Sequence, residues 1–321
     1  MTTNSSVTTP AAAQEKGQEK GQEKGQRLHV GEWIIENLIR LAGLSTVVIV
    51  GLIFLFLVRE GGPAFLDIPL RQLFGSRWYP IEGIFGLLPL LVGSLIVTVG
   101  AVAIAVPLGL ICAIYLGEIA PTWQREILKP LIEMLAGIPS IVLGFLGWVV
   151  LAPLIQNAGA ATGLTAFTGA IILAYMSLPT IISISEDALY AVPREYRDGA
   201  LAIGATQWQT IWRVVLPAAR SGIVIAVMLG IGRAIGETMA VMMVTGNAAN
   251  IPALSSGVIF EPVRTMTATI AAEMGEVAQG SLHYNTLFGI GIVLFVITFA
   301  INSLAGRIVG TRGARRQGGK L

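Results

Sequence analysis

Arg233 and Glu237 are the two residues whose type and spacing most suggest chemistry. They stand four apart inside an otherwise apolar run, Ser221–Gly246. On a continuous helix that spacing brings the two side chains within reach of each other. An ionised group near the middle of a membrane helix costs at least about 2.5 kcal/mol on insertion scales, so such groups face a bundle interior or a water-filled path. A guanidinium offers two parallel N–H donors to an oxyanion such as phosphate, and a carboxylate beside it would neutralise it between turnovers. The same residues would also serve as a structural ion pair that orients one span on its neighbours. Type and spacing leave both readings open.

Other chemistries find little support. None of the five lysines is followed by Ser or Thr, so there is no G-x-x-x-x-G-K-[ST] phosphate loop. No nucleophile, base and oxyanion donor combine into a catalytic set. His29 and His283 stand alone, without the spacing of metal ligands. Cys112 is the single cysteine; it excludes an intrachain disulfide and reads as a small buried apolar side chain.

The elements that must position Arg233 and Glu237 are membrane spans. Hydrophobic residues make up 54% of the 321-residue chain and charged residues 12%, about half the charge that a soluble surface carries. A net charge of +2, without a basic block, gives no footprint for nucleic acid. A bilayer core takes about 20 apolar residues per helix. Six runs qualify: Leu41–Val58, a span within Gly83–Gly117, Ile132–Ile155, Thr165–Ile184, Ser221–Gly246 and Thr286–Ala305. Pro89 lies near the start of the second, and Pro107 is placed to bend it. Continuous apolarity, rather than alternation, predicts helices and not a barrel.

These runs divide the chain into a low-complexity tail over 1–38 with QEKG repeats, expected to be disordered, a transmembrane domain over 39–306, and a basic tail over 307–321. The first apolar run has no cleavage site after it and reads as a retained anchor. Lys and Arg number 16 on the side of the two tails and 4 on the other, which places both termini in the cytoplasm. Two loops are long: 186–220 on the cytoplasmic side and 247–285 outside. In the latter, Met266, Ile270, Met274 and Val277 share one helical face, suited to the membrane surface or an external partner.

The cytoplasmic loop, AVPREYRDGALAIGATQWQTIWRVVLPAARSG, predicts two short helices. The first covers Arg194–Ile203 and ends on Gly204 in a left-handed conformation. Thr206 and Gln209 have capping-box spacing for the second, along which Trp208, Ile211, Trp212 and Val215 form an exposed apolar stripe before Pro217. Gly137, Pro139 and Ser140 are placed to break the third span and expose backbone polar groups to a pathway, or simply to kink it. Glu133 reads as a solvated helix end or as part of the cytoplasmic mouth.

Asp198, Gly199 and Ala200, then Gly204, then Val214, Leu216 and Pro217 follow the register of the EAA loop in permease subunits of binding-protein-dependent ABC importers. Asp stands for the family's Glu, Gly for its first Ala and Val for its Ile; Gly199 should weaken the first helix by up to about 1 kcal/mol. LAGIPSIVLGFLG (135–147) and GRAIGETMAVMMVTGN (232–247) further resemble phosphate-importer permeases of the PstC type, over roughly Leu88–Ala305. The resemblance implies an all-α type I ABC importer permease fold of six transmembrane helices, in the bacterial inner membrane. It implies that Asp198, Gly199, Ala200, Gly204, Leu216 and Pro217 couple to a separate ATPase, and that Arg233 and Glu237 serve transport. The partners implied are a sister permease (PstA type), a homodimeric ATPase (PstB type) that binds the ATP and Mg absent from this chain, and an external phosphate-binding protein (PstS type). Two alternatives stay open: a permease of this class for molybdate or sulfate, and a stand-alone ion-coupled transporter or channel.

Overall fold

The computed structural model describes residues 10–252 and 257–317. It separates into two units, residues 1–56 and residues 57–321. The described part of the first unit belongs to helix α1 (Pro10–Asp67). Between Leu41 and Phe56 this helix is apolar all round, with Leu41, Leu44, Val47, Leu52 and Leu55 exposed, the pattern of a membrane span. The helix also runs through the QEKG repeats. Gln, Glu and Lys are good helix formers, and a glycine at every fourth position does not stop a helix that continues into an apolar span. His29 lies outside the described side chains.

In the second unit, α2 (Leu70–Leu73) leads into a hairpin of β1 (Trp78–Tyr79) and β2 (Ile84–Phe85), with Trp78 opposite Phe85. Helix α3 (Leu88–Ile114) carries Pro89 in its first turn, where a missing N–H costs nothing, and Pro107 inside. It ends in a π-helical turn, Tyr115–Ile119. Then come α4 (Thr122–Ala136) and α5 (Ser140–Leu146), which passes through a π-helical turn at Gly147–Leu151 into α6 (Ala152–Asn157). Helix α7 (Ala166–Tyr190) follows, then α8 (Arg194–Ala202) and α9 (Gln207–Thr210). A third π-helical turn, Ile211–Val215, leads into α10 (Leu216–Gly236). The chain closes with α11 (Met239–Val244), α12 (Met266–Glu273) and α13 (Leu282–Gln317).

Six helical stretches among the described residues are long and apolar enough to cross a membrane, as the sequence predicts. Boundaries differ, most of all at the third and fifth spans. The third span begins at Ser140, not near Ile132, because the chain breaks at Gly137–Pro139. The fifth begins at Gln207, not near Ser221, and α10 ends at Gly236 rather than Gly246. Pro217 is accommodated in the first turn of α10, directly after the π-helical turn whose bonding has already shifted.

Helix α7 is the axis of the second unit. Gly100 lies against Ala170, Gly109 against Ile181 and Gly117 against Leu189, so α3 and α7 run parallel. Gly222 lies against Ala188 and Gly230 against Ile181, so α10 runs antiparallel to both. Ile181 is thus gripped from two sides: a Cβ on Gly109 or Gly230 would sit 2.7 or 2.6 Å from its side chain. Small residues at such crossings let membrane helices approach closely. Cys112, on α3, is exposed. That corrects its reading as a buried side chain.

Apolar clusters close both ends of the unit. At the hairpin end, Trp78, Phe85, Leu90, Met266, Leu287 and Ile290 are buried together. Ile270, Met274 and Val277 pack on them, so the apolar face of the 265–278 segment meets the chain's own core. His283 is not isolated: its Nε2 lies 2.8 Å from Glu273 Oε2, a carboxylate that also accepts from Arg264 Nη1 (2.6 Å) and Trp78 Nε1 (3.1 Å). At the opposite end, Ala113, Ile114, Leu189, Val192, Ile211 and Val215 join α3, α7 and the segment that follows α8.

Candidate functional site

Arg233 sits in the last turn of α10, half-buried, with Nη1 3.4 Å from Thr180 Oγ1 on α7. Glu237 is not on the same helix. Its backbone is extended (φ −68°, ψ 134°), and the chain restarts as α11 only at Met239. Among the described residues Arg233 and Glu237 form no ion pair, which corrects the expectation drawn from a continuous helix. Instead Glu237 Oε1 accepts from Ala240 N (3.2 Å) and so caps α11, while its carbonyl accepts from Thr267 Oγ1 (2.8 Å). The break is local chemistry: Gly236 ends α10, and Thr238 Oγ1 donates to the Gly236 carbonyl (3.2 Å). Irregular backbone at membrane depth is tolerated where protein or a water-filled path surrounds it.

The Gly137–Ser140 segment makes a second break. Pro139 (φ −58°, ψ 135°) caps α5, and its carbonyl accepts from Val142 N (3.0 Å). Gly144 packs on Ala240 and Gly147 on Val244, so α5 and α11 run parallel. Ser140 and Met239 therefore begin their helices within about one turn of each other along a shared direction. The structure so brings Gly137, Pro139 and Ser140 to the level of Glu237, while among the described residues no hydrogen bond joins them to Arg233. Glu133, on α4, is exposed.

The α8–α9 hairpin forms as its sequence dictates. Gly204 has φ +87°; Gly204 N donates to Leu201 O (3.0 Å) and Ala205 N to Ala200 O (3.1 Å), a Schellman pair that satisfies the last carbonyls of α8. Thr206 and Gln209 then complete both halves of a capping box. Asp198 and Gly199 are exposed and Ala200 is buried. Pro217 is exposed and Leu216 half-buried. The expected apolar stripe divides: Ile211 and Val215 are buried, while Trp208 (57% exposed) and Trp212 (51% exposed) stack edge-on at the surface. At the tip, Ile203 is 87% exposed.

Two charged clusters at this end escaped the sequence reading. Glu186, fully buried at the end of α7, pairs with Arg125 and, at 2.6 Å, with Lys129, which also reaches Asp187 at 2.8 Å. Arg125 lies 4.5 Å above the Tyr190 ring. The available signal was Arg125 and Lys129, four apart on α4, and an acidic pair that ends a long uncharged run. Burial alone would lower the Lys129 ammonium, but hydrogen bonds to Asp187 and Glu186 outweigh it and hold the group above its ordinary value of 10.5. Its contribution is thus fully present below that value and lost only above it. Glu186→Ala is expected to cost about 1–3 kcal/mol, because Arg125 loses its carboxylate while Lys129 keeps Asp187. It should cut membrane abundance and the melting temperature in detergent; unchanged melting would mean that α4 is held by other contacts. The second cluster joins Arg197 to Glu118 at 2.6 Å.

The six-span all-α arrangement is the fold of type I ABC importer permeases. A solved bacterial alginate ABC transporter, in complex with an alginate pentasaccharide-bound periplasmic protein, shares it with a TM-score of 0.57 at 16% identity, over 86% of this chain and 96% of that one. Residues 105–311 match the family described as binding-protein-dependent transport system inner membrane component, and the chain belongs to it as a multi-pass protein of the bacterial inner membrane. It is 44% identical over 234 residues to the probable ABC transporter permease protein YqgH of Bacillus subtilis, covering 72% of this chain and 74% of that protein. It is 39% identical over 286 residues to the phosphate transport system permease protein PstC of Mesorhizobium japonicum, covering 83% and 86%.

Proposed function

We propose that this chain is a non-catalytic permease subunit of an ATP-driven importer of inorganic phosphate. With a sister permease it lines the pathway, and the α8–α9 hairpin receives a separate ATPase that binds ATP and Mg. An external phosphate-binding protein delivers the cargo. The hairpin carries this reading. It is a short turn, built from local caps, that presents exposed Asp198 and Ile203 beyond the ends of the spans and exposed Trp208 at the start of the fifth. The similarity to a phosphate transport permease and the guanidinium of Arg233 support phosphate as cargo. Purification of the tagged chain from membranes, with its partners identified by mass, tests the assembly. Phosphate uptake in competition with molybdate and sulfate tests the cargo. Transport by the lone chain in liposomes would overturn the reading in favour of a stand-alone carrier.

On this reading both termini and the hairpin are cytoplasmic. Cysteines placed at Ile203 and at Ile81, which are 87% and 89% exposed, probe the two faces in a background with Cys112 replaced. A membrane-impermeant thiol reagent applied to intact cells opened at the outer membrane should label position 81 and leave position 203 untouched. The reverse pattern would invert the orientation.

A further inference from the structure

Glu118 lies in the π-helical turn that ends α3, with its side chain 8% exposed, a charge that the surrounding apolar cluster cannot solvate. Arg197 of α8 meets both carboxylate oxygens, Nη2 to Oε1 at 2.6 Å and Nε to Oε2 at 3.1 Å. The same guanidinium donates from Nη1 to the Val192 carbonyl (2.6 Å) and from Nη2 to the Leu189 carbonyl (2.9 Å), at the end of α7. From α9, Gln207 Nε2 reaches the Glu118 carbonyl at 3.3 Å. One side chain of the hairpin thus holds the ends of two parallel, packed spans. Among the described residues no other ion pair ties α8 or α9 to the bundle. The next residue, Asp198, is exposed, because successive side chains on a helix point about 100° apart. The surface offered to a partner and the inward anchor are therefore adjacent in the chain.

We propose that Arg197 is a positioning residue of the transport cycle: its fork makes displacement of the α8–α9 hairpin move α3 and α7 together, as one body. This rests on the reading of the hairpin as the ATPase contact. Arginine is required because its planar fork serves a carboxylate and two carbonyls at once, whereas lysine keeps the charge on one nitrogen and cannot span all three. The hydrogen bond to Glu118 holds the Arg197 guanidinium above its already high ordinary value, so the strut stays charged at every cellular pH.

The test uses the full importer, purified with its partners and reconstituted with the external binding protein. Phosphate moved per ATP hydrolysed is measured on the same vesicles. Arg197→Lys and the milder Glu118→Gln are each expected to assemble and to lower that ratio about fivefold or more. Combining them should add little, since either one breaks the same link. An unchanged ratio in both variants, with only abundance or melting temperature reduced, would make the pair a plain structural bond and overturn the proposal. Cross-linking from a cysteine at Ile203 to the ATPase separates the two levels of the argument. If it fails in the otherwise wild-type chain, the hairpin is not the contact and the reading beneath the proposal falls. If it succeeds while Arg197→Lys keeps its ratio, the strut alone falls.

Discussion

Arg233→Lys is expected to give a chain that inserts and assembles normally yet loses phosphate uptake by about tenfold or more, because lysine keeps the charge but not the bidentate fork. The geometry sharpens this expectation. Arg233 has one long bond, 3.4 Å to Thr180, and no carboxylate partner among the described residues, so most of its donors remain available. Glu237 does different work, capping α11 through Ala240 N. Neutralising both residues, as in Arg233→Gln with Glu237→Gln, should therefore not rescue uptake, and the Glu237→Gln change alone should cost about 1 kcal/mol as a weakened cap. Uptake and assembly are measured on the same membranes. Normal uptake by Arg233→Lys, or recovery in the double variant, would reduce Arg233 to a structural cation.

Gly204→Val should abolish coupling through a different cause. At φ +87° a β-branched residue is strained by about 1–3 kcal/mol, and the Schellman bonds from Gly204 and Ala205 depend on that angle. No atom of the described chain lies within 4 Å of a Cβ added there, so within the chain the effect is one of backbone conformation. Gly204→Ala, with the smaller side chain, should fall between the wild type and valine. The readouts are capture of the ATPase by the tagged chain and phosphate uptake. Full retention of both in Gly204→Val would show that the hairpin is not the contact through which ATP drives transport.

What was legible in the sequence divides by distance along the chain. The α8–Gly204–α9 turn was readable because every bond that shapes it lies within six residues. The six spans were readable because length and apolarity suffice. Their ends were not. Pro107, Pro179 and Pro217 all sit inside helices, whereas Pro139 stands at a break, and the difference lies in what satisfies the freed backbone groups, not in proline. The pairing expected of Arg233 and Glu237 assumed a continuous helix, which Gly236 and Thr238 interrupt. Arg197 and Glu118 stand 79 residues apart, and Lys129 and Glu186 stand 57 apart. No periodicity joins such pairs; only the packing of α3, α4, α7 and α8 does.

The π-helical turns at Tyr115–Ile119, Gly147–Leu151 and Ile211–Val215 amount to single-residue insertions absorbed without breaking a helix. Each rotates everything beyond it by about 100° relative to an uninterrupted α-helix. The last one sets the angle at which α9 turns Trp208 relative to the face that α10 turns toward α7. One residue gained or lost between 211 and 215 would therefore re-aim the hairpin relative to α10 and repack Ile211 and Val215 against α3 and α7. In a comparison of relatives, such a change would stand as a lone gap inside an otherwise unbroken helix.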